Sequence, residues 1–355
     1  MKKGFVVTAL AVAAVLLGTP IVSDAANFRL TIGAGHPVDA SAWITSMRDY
    51  LQKEVKAQVE TKTPHKIEWV EAYGGSVAKL GEVLEAIESG LMDIGDVHIP
   101  FEPAKLMAHN FPYFIPFASP DPLMATKAAF KVYQDYPQLK EALEKKYNQV
   151  FLAVGAVTCY NLVTTFPWEK VEQLKGRKIA AAGPNIPWVQ AIGAVGVQSN
   201  LNEAYTSMQT GVYQGWVMHA QATVSFKLHE VAKYYTVTDF QATPNVLITI
   251  NRDTWQKLPK EVQQIFTDVA SRYHIVQTPL AMAKDEAAFK TMRDAGSTVR
   301  TLSWEEKVKW ANAIPDIPNQ RAAEITKGGM PGEVVRAYYM NQKDAGFKFP
   351  REWFK

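Results

Sequence analysis

The stretch Leu174–His219, LKGRKIAAAGPNIPWVQAIGAVGVQSNLNEAYTSMQTGVYQGWVMH, packs a strand, helix, strand, helix, strand alternation into one short span. Lys178–Ala182 is a small apolar strand turned by Gly183 and Pro184, and Trp188, Ile192 and Val195 share one face of the helix that follows. Val195–Leu201 reads as a second strand. Asn202 is placed to cap a helix over 203–210, on which Tyr205, Met208 and Val212 recur at near-helical spacing, and Gly211 supplies a left-handed residue at its end. A third strand, Gln214–Ala220, carries His219 near its carboxyl end.

An earlier segment, SVAKLGEVLEAIESGLMDIGDVHIP (Ser76–Pro100), repeats the last part of this pattern. Ser76 can cap a helix with Val77, Leu80, Leu84 and Ile87 on one face, Gly90 closes it, and Met92–Val97 runs as a strand to His98. Gly90 to His98 and Gly211 to His219 are the same number of residues apart. Helix, glycine, strand is also a common sequence in any α/β protein, so the match is either a repeat or a coincidence. Read as a repeat, it places two similar α/β units with their strand ends on one crevice, where open α/β sheets hold ligands.

The composition bounds what such a crevice can serve. The chain has 355 residues, 47% of them hydrophobic and 21% charged, which suits a globular protein with room for two domains. The formal charge of +3 is small and its lysines and arginines are interspersed with acids, so no basic stripe points to nucleic acid. Met1–Ala25 joins Lys2 and Lys3 to an apolar run, Phe5–Leu17, and ends in Ser23-Asp24-Ala25, the layout of a secretory signal peptide cut after Ala25. The run is shorter than the ~20 residues a membrane span needs. The expected location is therefore the periplasm. Cys159 is the only cysteine, so no internal disulfide can form, and it reads as a packing residue.

Along the rest of the chain, Phe28–Ala34 and Lys66–Tyr73 read as strands, and a helix between them carries Trp43, Met47 and Leu51. Asn110–Pro122, NFPYFIPFASPDP, is irregular because Pro112 and Pro116 lack a donor, and it reads as a packed crossing between lobes. Residues 123–147 look helical, and Gln149–Thr165 is a β-rich run long enough to pass from one lobe to the other. Tyr234–Asp239 and Asn245–Asn251 are further strands, the second a candidate return crossing. A helix begins at Pro259 and continues past Pro279, as one kinked helix or two in succession. Glu305–Asn312 and Gly332–Met340 are helices, and the end, FKFPREWFK, reads as a surface tail folded back.

No G-x-S-x-G, H-E-x-x-H, Walker or G-x-G-x-x-G pattern occurs, and the seven histidines are not spaced as metal ligands. No catalytic residue, metal or cofactor is expected. Trp43, Tyr73, Phe101, Tyr113, Tyr160, Trp188 and Trp216 fall near predicted strand ends or irregular positions; each taken singly fits a core as well as a ligand site.

Five blocks then resemble one family in order along nearly the whole mature chain. They are G-x-V-x-K-L-x-E-V-L-E-A-I-E-S-G-L-M-D-I (Gly75–Ile94), F-P-Y-F-I-P-F (Phe111–Phe117), L-K-G-R-K-I (Leu174–Ile179), N-E-A-Y-T-S-M-Q-T-G-V-Y-Q-G (Asn202–Gly215) and W-x-K-L-P (Trp255–Pro259). The family is the DctP-like extracytoplasmic binding subunits of TRAP transporters. The resemblance implies an α/β fold of two lobes with crossing hinge strands and a long helix, closing on a small organic solute, usually a carboxylate. It implies as partners the large and small membrane subunits of an ion-driven permease. On this basis residues 26–157 and 244–283 are assigned to lobe I, and 158–243 and 284–355 to lobe II.

The chain departs from the family where a carboxylate should be held. Members usually carry an arginine directly after the block Leu174–Ile179, and here that position is Ala180; an asparagine of the family falls at Met218. Family pocket positions, charged in some members, fall at His98, Phe101 and Tyr160, and a polar one at Asn245. The expected ligand-binding set is therefore His36, Trp43, Tyr73, His98, Phe101, Tyr160, Asn161, Ala180, Trp188, Met218, His219 and Asn245. Either Tyr160, Asn161, His98, His219 and backbone N–H groups replace the guanidinium, or the solute lacks a carboxylate there. Both favour a planar or aromatic compound. Glu203 reads as a complement to a helix N-terminus rather than a ligand contact. Two other readings stay open: an envelope enzyme using His98 and His219 as acid and base, which would need a nucleophile or metal beside them, and a ligand-presenting partner of a sensor.

Overall fold

The computed structural model describes Met1 and residues 25–354, so the expected export signal lies almost wholly outside the described residues. Nine strands form one sheet: β1 (Asn27–Gly33), β2 (Lys66–Ala72), β3 (Ile94–His98), β4 (Gln149–Thr164), β5 (Lys178–Ala181), β6 (Val195–Gln198), β7 (Gly215–Met218), β8 (Tyr234–Asn251) and β9 (Thr298–Thr301). Their order is β2-β1-β3-β8-β4-β7-β5-β6, with β9 also on β8. The two α/β units lie at opposite ends of this order. β1, β2 and β3 run parallel in one, and β5, β6 and β7 run parallel in the other.

β4 and β8 join them. They pair antiparallel along nearly their whole length, from Gln149 opposite Asn251 to Thr164 opposite Tyr234. Residues 246–250 of β8 pair with β3, whereas residues 161–164 of β4 pair with β7, so the β4–β8 pair ties the two units together. The pair is not regular: its register shifts at four places, including Gly155/Ala156 and Tyr160/Leu162. β8 is one strand where two were expected, because Pro244 sits within a ladder that its neighbours hold. Asp239 within it takes a left-handed conformation, φ 52°.

Asn161 holds that bend. Its Oδ1 accepts from the backbone N–H of Thr238 and of Asp239 at 2.9 and 3.0 Å, and its Nδ2 donates to the Cys159 carbonyl and the Tyr235 hydroxyl. Gln277 does the same for the shift at Ala156. Its Oε1 accepts from Ala156 N at 3.2 Å and its Nε2 donates to Ala156 O at 2.9 Å, from a side chain with no exposed surface.

Gln277 belongs to the long helix Tyr273–Asp294, which follows directly on Lys260–Ser271. The break falls at Arg272, seven residues before Pro279, and the helix runs through Pro279. Other expected boundaries also move. The helix expected from Ser76 is confined to Val83–Glu88, with Val77 exposed, and the cap expected at Asn202 is at Asn200, which forms a capping box with Glu203. Residues 123–147 divide into Pro122–Asp135 and Gln138–Tyr147 around Pro137, which the backbone before a proline disfavours as continuous helix. In the C-terminal tail Phe349 and Trp353 are buried, and the Trp353 indole donates to the Pro116 carbonyl. Replacing Gln277 by Leu should strand the N–H and C=O of Ala156 in the core and lower stability by about 2–4 kcal/mol, measured by urea unfolding.

Candidate functional site

Gly90 and Gly211 end their helices with φ of 76° and 77°, and the strands they feed, β3 and β7, deliver His98 and His219 to a common cavity. The repeat read from the sequence is therefore real in space. His36 follows β1, Ala182 follows β5, and Ser199, Asn200 and Leu201 follow β6, so the carboxyl ends of strands from both parallel sets converge there. The crossing strands add Val157 and Tyr160 from β4 and Asn245 from β8. The cavity has a volume of about 30 Å³, and Trp43, Phe101 and Trp216 complete its aromatic wall.

Trp43 stands between the two units. Its ring centroid is 5.5 Å from His98 and 6.1 Å from His219, both edge-on, and its indole N–H donates to Asp96 Oδ2 at 3.1 Å. Gly155 permits this approach, since a Cβ on it would meet the Trp43 Cβ at 3.2 Å. Burial pushes the Asp96 carboxyl up to about 8, so it is protonated at neutral pH and holds the indole as a neutral group.

The three cavity histidines are buried and differ in their bonds. Asn245 Nδ2 donates to His98 Nε2 at 3.1 Å, which leaves the proton of the neutral ring on Nδ1. His219 Nδ1 accepts from Ala222 N at 3.4 Å, capping the helix Ala220–Ser225, so its proton is on Nε2. His36 packs edge-on against His98 at 5.4 Å and has no partner on either ring nitrogen among the described residues. Burial lowers His36 to about 4 and His219 to about 3, and His98 falls well below its ordinary value through burial and the neighbouring His36 and His219. Tyr160, whose hydroxyl bonds that of Tyr113 at 3.1 Å, is pushed up to about 12 by burial. Among the described residues no lysine, arginine or carboxylate lines the cavity.

Eight of the expected residues line it: His36, Trp43, His98, Phe101, Tyr160, Met218, His219 and Asn245. Four do not. The Tyr73 hydroxyl donates to Gln52 Oε1. Asn161 has its hydrogen bonds committed to the bend in β8. Ala180 is buried within β5 between Val197 and Trp216, and it is Ala182, two residues on, that reaches the cavity. Trp188 is fully buried behind Tyr160, at 6.4 Å, with its indole donating to the Tyr113 carbonyl. Arg177 stacks on Phe166, with its guanidinium carbon 4.3 Å from the ring centroid. Sequence reasoning missed Pro100, Val157, Ala182, Ser199–Leu201, Trp216 and Val217; all but Val157, which is mid-strand in β4, follow strands or lie near their ends, where the strand-end rule would have found them. Among the described residues no group of three or more His, Cys, Asp or Glu side chains is arranged to hold a metal ion.

A broader, open hollow of about 1100 Å³ lies along the long helix, lined by Pro120, Leu123, Met282, Asp285 and Phe289 among others. Ile275 and Met282 face solvent there and no parallel strand ends at it, so it is a surface groove rather than the crevice the fold builds.

Residues 42–324 match the family model DctP, bacterial extracellular solute-binding protein, family 7. The chain belongs to that family. A solute-binding protein of Sulfitobacter sp. strain NAS-14.1 is 27% identical over 203 residues, 57% of this chain and 60% of that protein. The C4-dicarboxylate-binding periplasmic protein DctP of Rhodobacter capsulatus is 27% identical over 138 residues, 39% of this chain and 41% of its own length. Among solved structures, a TRAP periplasmic solute-binding protein from Sulfitobacter sp. NAS-14.1 with bound β-D-galacturonate superposes with a TM-score of 0.73 at 19% identity, covering 88% of this chain and 99% of that one. DctP7 of Bordetella pertussis, an extracytoplasmic solute receptor binding pyroglutamic acid, gives 0.73 at 22% identity with the same coverages. The two-lobed DctP-family fold is thus this chain's fold.

The protonated Asp96 has a consequence for stability. Its folded pKa of about 8 exceeds the ordinary carboxyl value of 3.8, so the folded state binds the extra proton and loses stability as pH rises between those values. Asp96→Asn keeps a neutral acceptor for the Trp43 indole and should remove that loss. Its melting temperature relative to the parent chain is expected to rise from pH 5 to pH 8, as followed by differential scanning calorimetry.

Proposed function

We propose that this chain is the extracytoplasmic binding subunit of a TRAP-type secondary transporter. It captures a small organic acid with a planar or aromatic body between its lobes and presents it to the large and small membrane subunits. Export by residues 1–25 and action in the periplasm belong to the same proposal, as does a lobe division at 26–157 with 244–283 against 158–243 with 284–355. Binding rather than catalysis is the role in this reading, supported by membership of a solute-binding family.

The observation that carries the solute class is a cavity walled by Trp43, Phe101, Tyr160 and Trp216 with no charged side chain. Solved relatives in complex with β-D-galacturonate and pyroglutamic acid support an acid as the general class. A dicarboxylate would bury two charges without a fixed cation, at a cost of several kcal/mol each. One carboxylate on a flat apolar body needs one polar end and gains burial and edge-to-face contacts over the rest. About 30 Å³ is too little for such a body, so the lobes part for it to enter and close on it less completely than here, with contacts from both lobes favouring that closed form.

A thermal-shift screen of aromatic monocarboxylates, pyroglutamate, uronates, succinate, malate and neutral aromatic analogues checks this. A solute at about 100 times its Kd should raise the melting temperature by about 4 °C. Aromatic or planar monoacids are expected to lead. Larger shifts with succinate or malate would reject the solute class. An adjacent sensor-kinase gene in place of permease genes would favour the sensor-partner reading.

A further inference from the structure

The organic-acid reading leaves an unsolved electrostatic problem: a carboxylate enclosed among uncharged side chains has no positive partner in the cavity lining. We propose that His36 takes up a proton from the medium as the carboxylate enters, so that an imidazolium formed on binding serves as the cation of the site. The proposal rests on the solute being an acid.

The geometry singles out His36 from its two neighbours. Protonating His98 at Nε2 would set an N–H against the donating amide of Asn245, and protonating His219 at Nδ1 would set one against the N–H of Ala222. His219 would lose its hydrogen bond, and His98 would keep one only if the Asn245 amide flipped to present its unpartnered Oδ1. His36 has both ring nitrogens unpartnered while 2% exposed, so its protonation breaks no bond and supplies two donors. His98 Nδ1–H, likewise unpartnered and buried, and His219 Nε2–H are neutral donors to the same anion.

The groups facing His36 are the rings of His98 from β3, His219 at the end of β7, and Phe226, whose centroid lies 6.3 Å away. Asp96 is turned to the Trp43 indole, Asp285 accepts from the backbone N–H of Gln221, and Asp39 and Lys227 are exposed to water. No fixed charge therefore sets the protonation of His36 before the solute does. Burial alone holds it down to about 4, so it is neutral without an anion and is raised by one. The sign follows: between that value and the bound-state value, affinity for the acid rises about tenfold for each unit that pH falls.

Calorimetric titration of the mature chain with the acid giving the largest thermal shift, repeated in buffers of different ionisation enthalpy at about pH 6, measures the protons taken up on binding. Uptake of one proton per solute, abolished in His36→Gln while the variant's melting curve stays cooperative, is the expected result. Binding without uptake, or uptake that persists in His36→Gln, overturns the proposal. Failure of every acid in the screen would instead dispose of the organic-acid reading. His36 is then judged with formate, the smallest carboxylate, in protein carrying 15N-labelled histidine. The His36 nitrogens should move to imidazolium values as formate saturates; neutral values at saturation, or no response of the cavity histidines, overturn the assignment.

Discussion

The molecule depends on keeping two buried, unequal strands hydrogen-bonded to each other as they pass through both lobes. β4 and β8 lie in the core, where an unpaired N–H or C=O costs about 1–3 kcal/mol. Yet their ladder shifts register four times, while β8 also pairs with β3 and β9 and β4 with β7. Side-chain amides make this possible. Gln277 pairs with the backbone of Ala156, and Asn161 with that of Thr238 and Asp239, so the irregularities are held as firmly as a regular ladder would be.

This same irregular pair delivers Val157, Tyr160 and Asn245 to the cavity between the lobes. Asn245 orients His98, and the Tyr113 and Tyr160 hydroxyls bond each other, so the polar groups of the site are fixed from its crossing strands as well as from its strand ends. Glu203, by contrast, closes a capping box and bonds Ser199, which stiffens the chain just beyond β6. Electrostatically the site is a set of neutral donors and acceptors in a poorly solvated space. Burial keeps three imidazoles and one carboxyl uncharged.

Much of this was legible in local patterns. The switch between helical and strand periodicity located eight of the nine strands within a few residues, and the shared glycine-to-histidine spacing placed His98 and His219 on one cavity. Errors came where two local signals compete. Ser76 and Asn202 are good caps by type, but the chain turns through residues 77–82 and Asn200 takes the second cap because Glu203 lies three residues on. Pro279 is a helix breaker by type, and the break falls at Arg272. The weak strand β9 gives too short a pattern to read. Trp188 and Asn161 were placed in the site because a buried tryptophan and a buried asparagine look alike whether they face a ligand or a neighbouring strand.

The sequence by itself determined the α/β alternation and the paired units, because these follow from periodicity, residue type and position within short windows. Only the tertiary structure decided which strand-end residues face the cavity, and which nitrogen of His98 and of His219 accepts a hydrogen bond. Those outcomes depend on contacts between residues far apart in the chain, such as Asn245 with His98, 147 residues away, or Gln277 with Ala156, 121 residues away. No local pattern encodes which distant group will satisfy a buried polar atom, because that is settled by how the whole core packs.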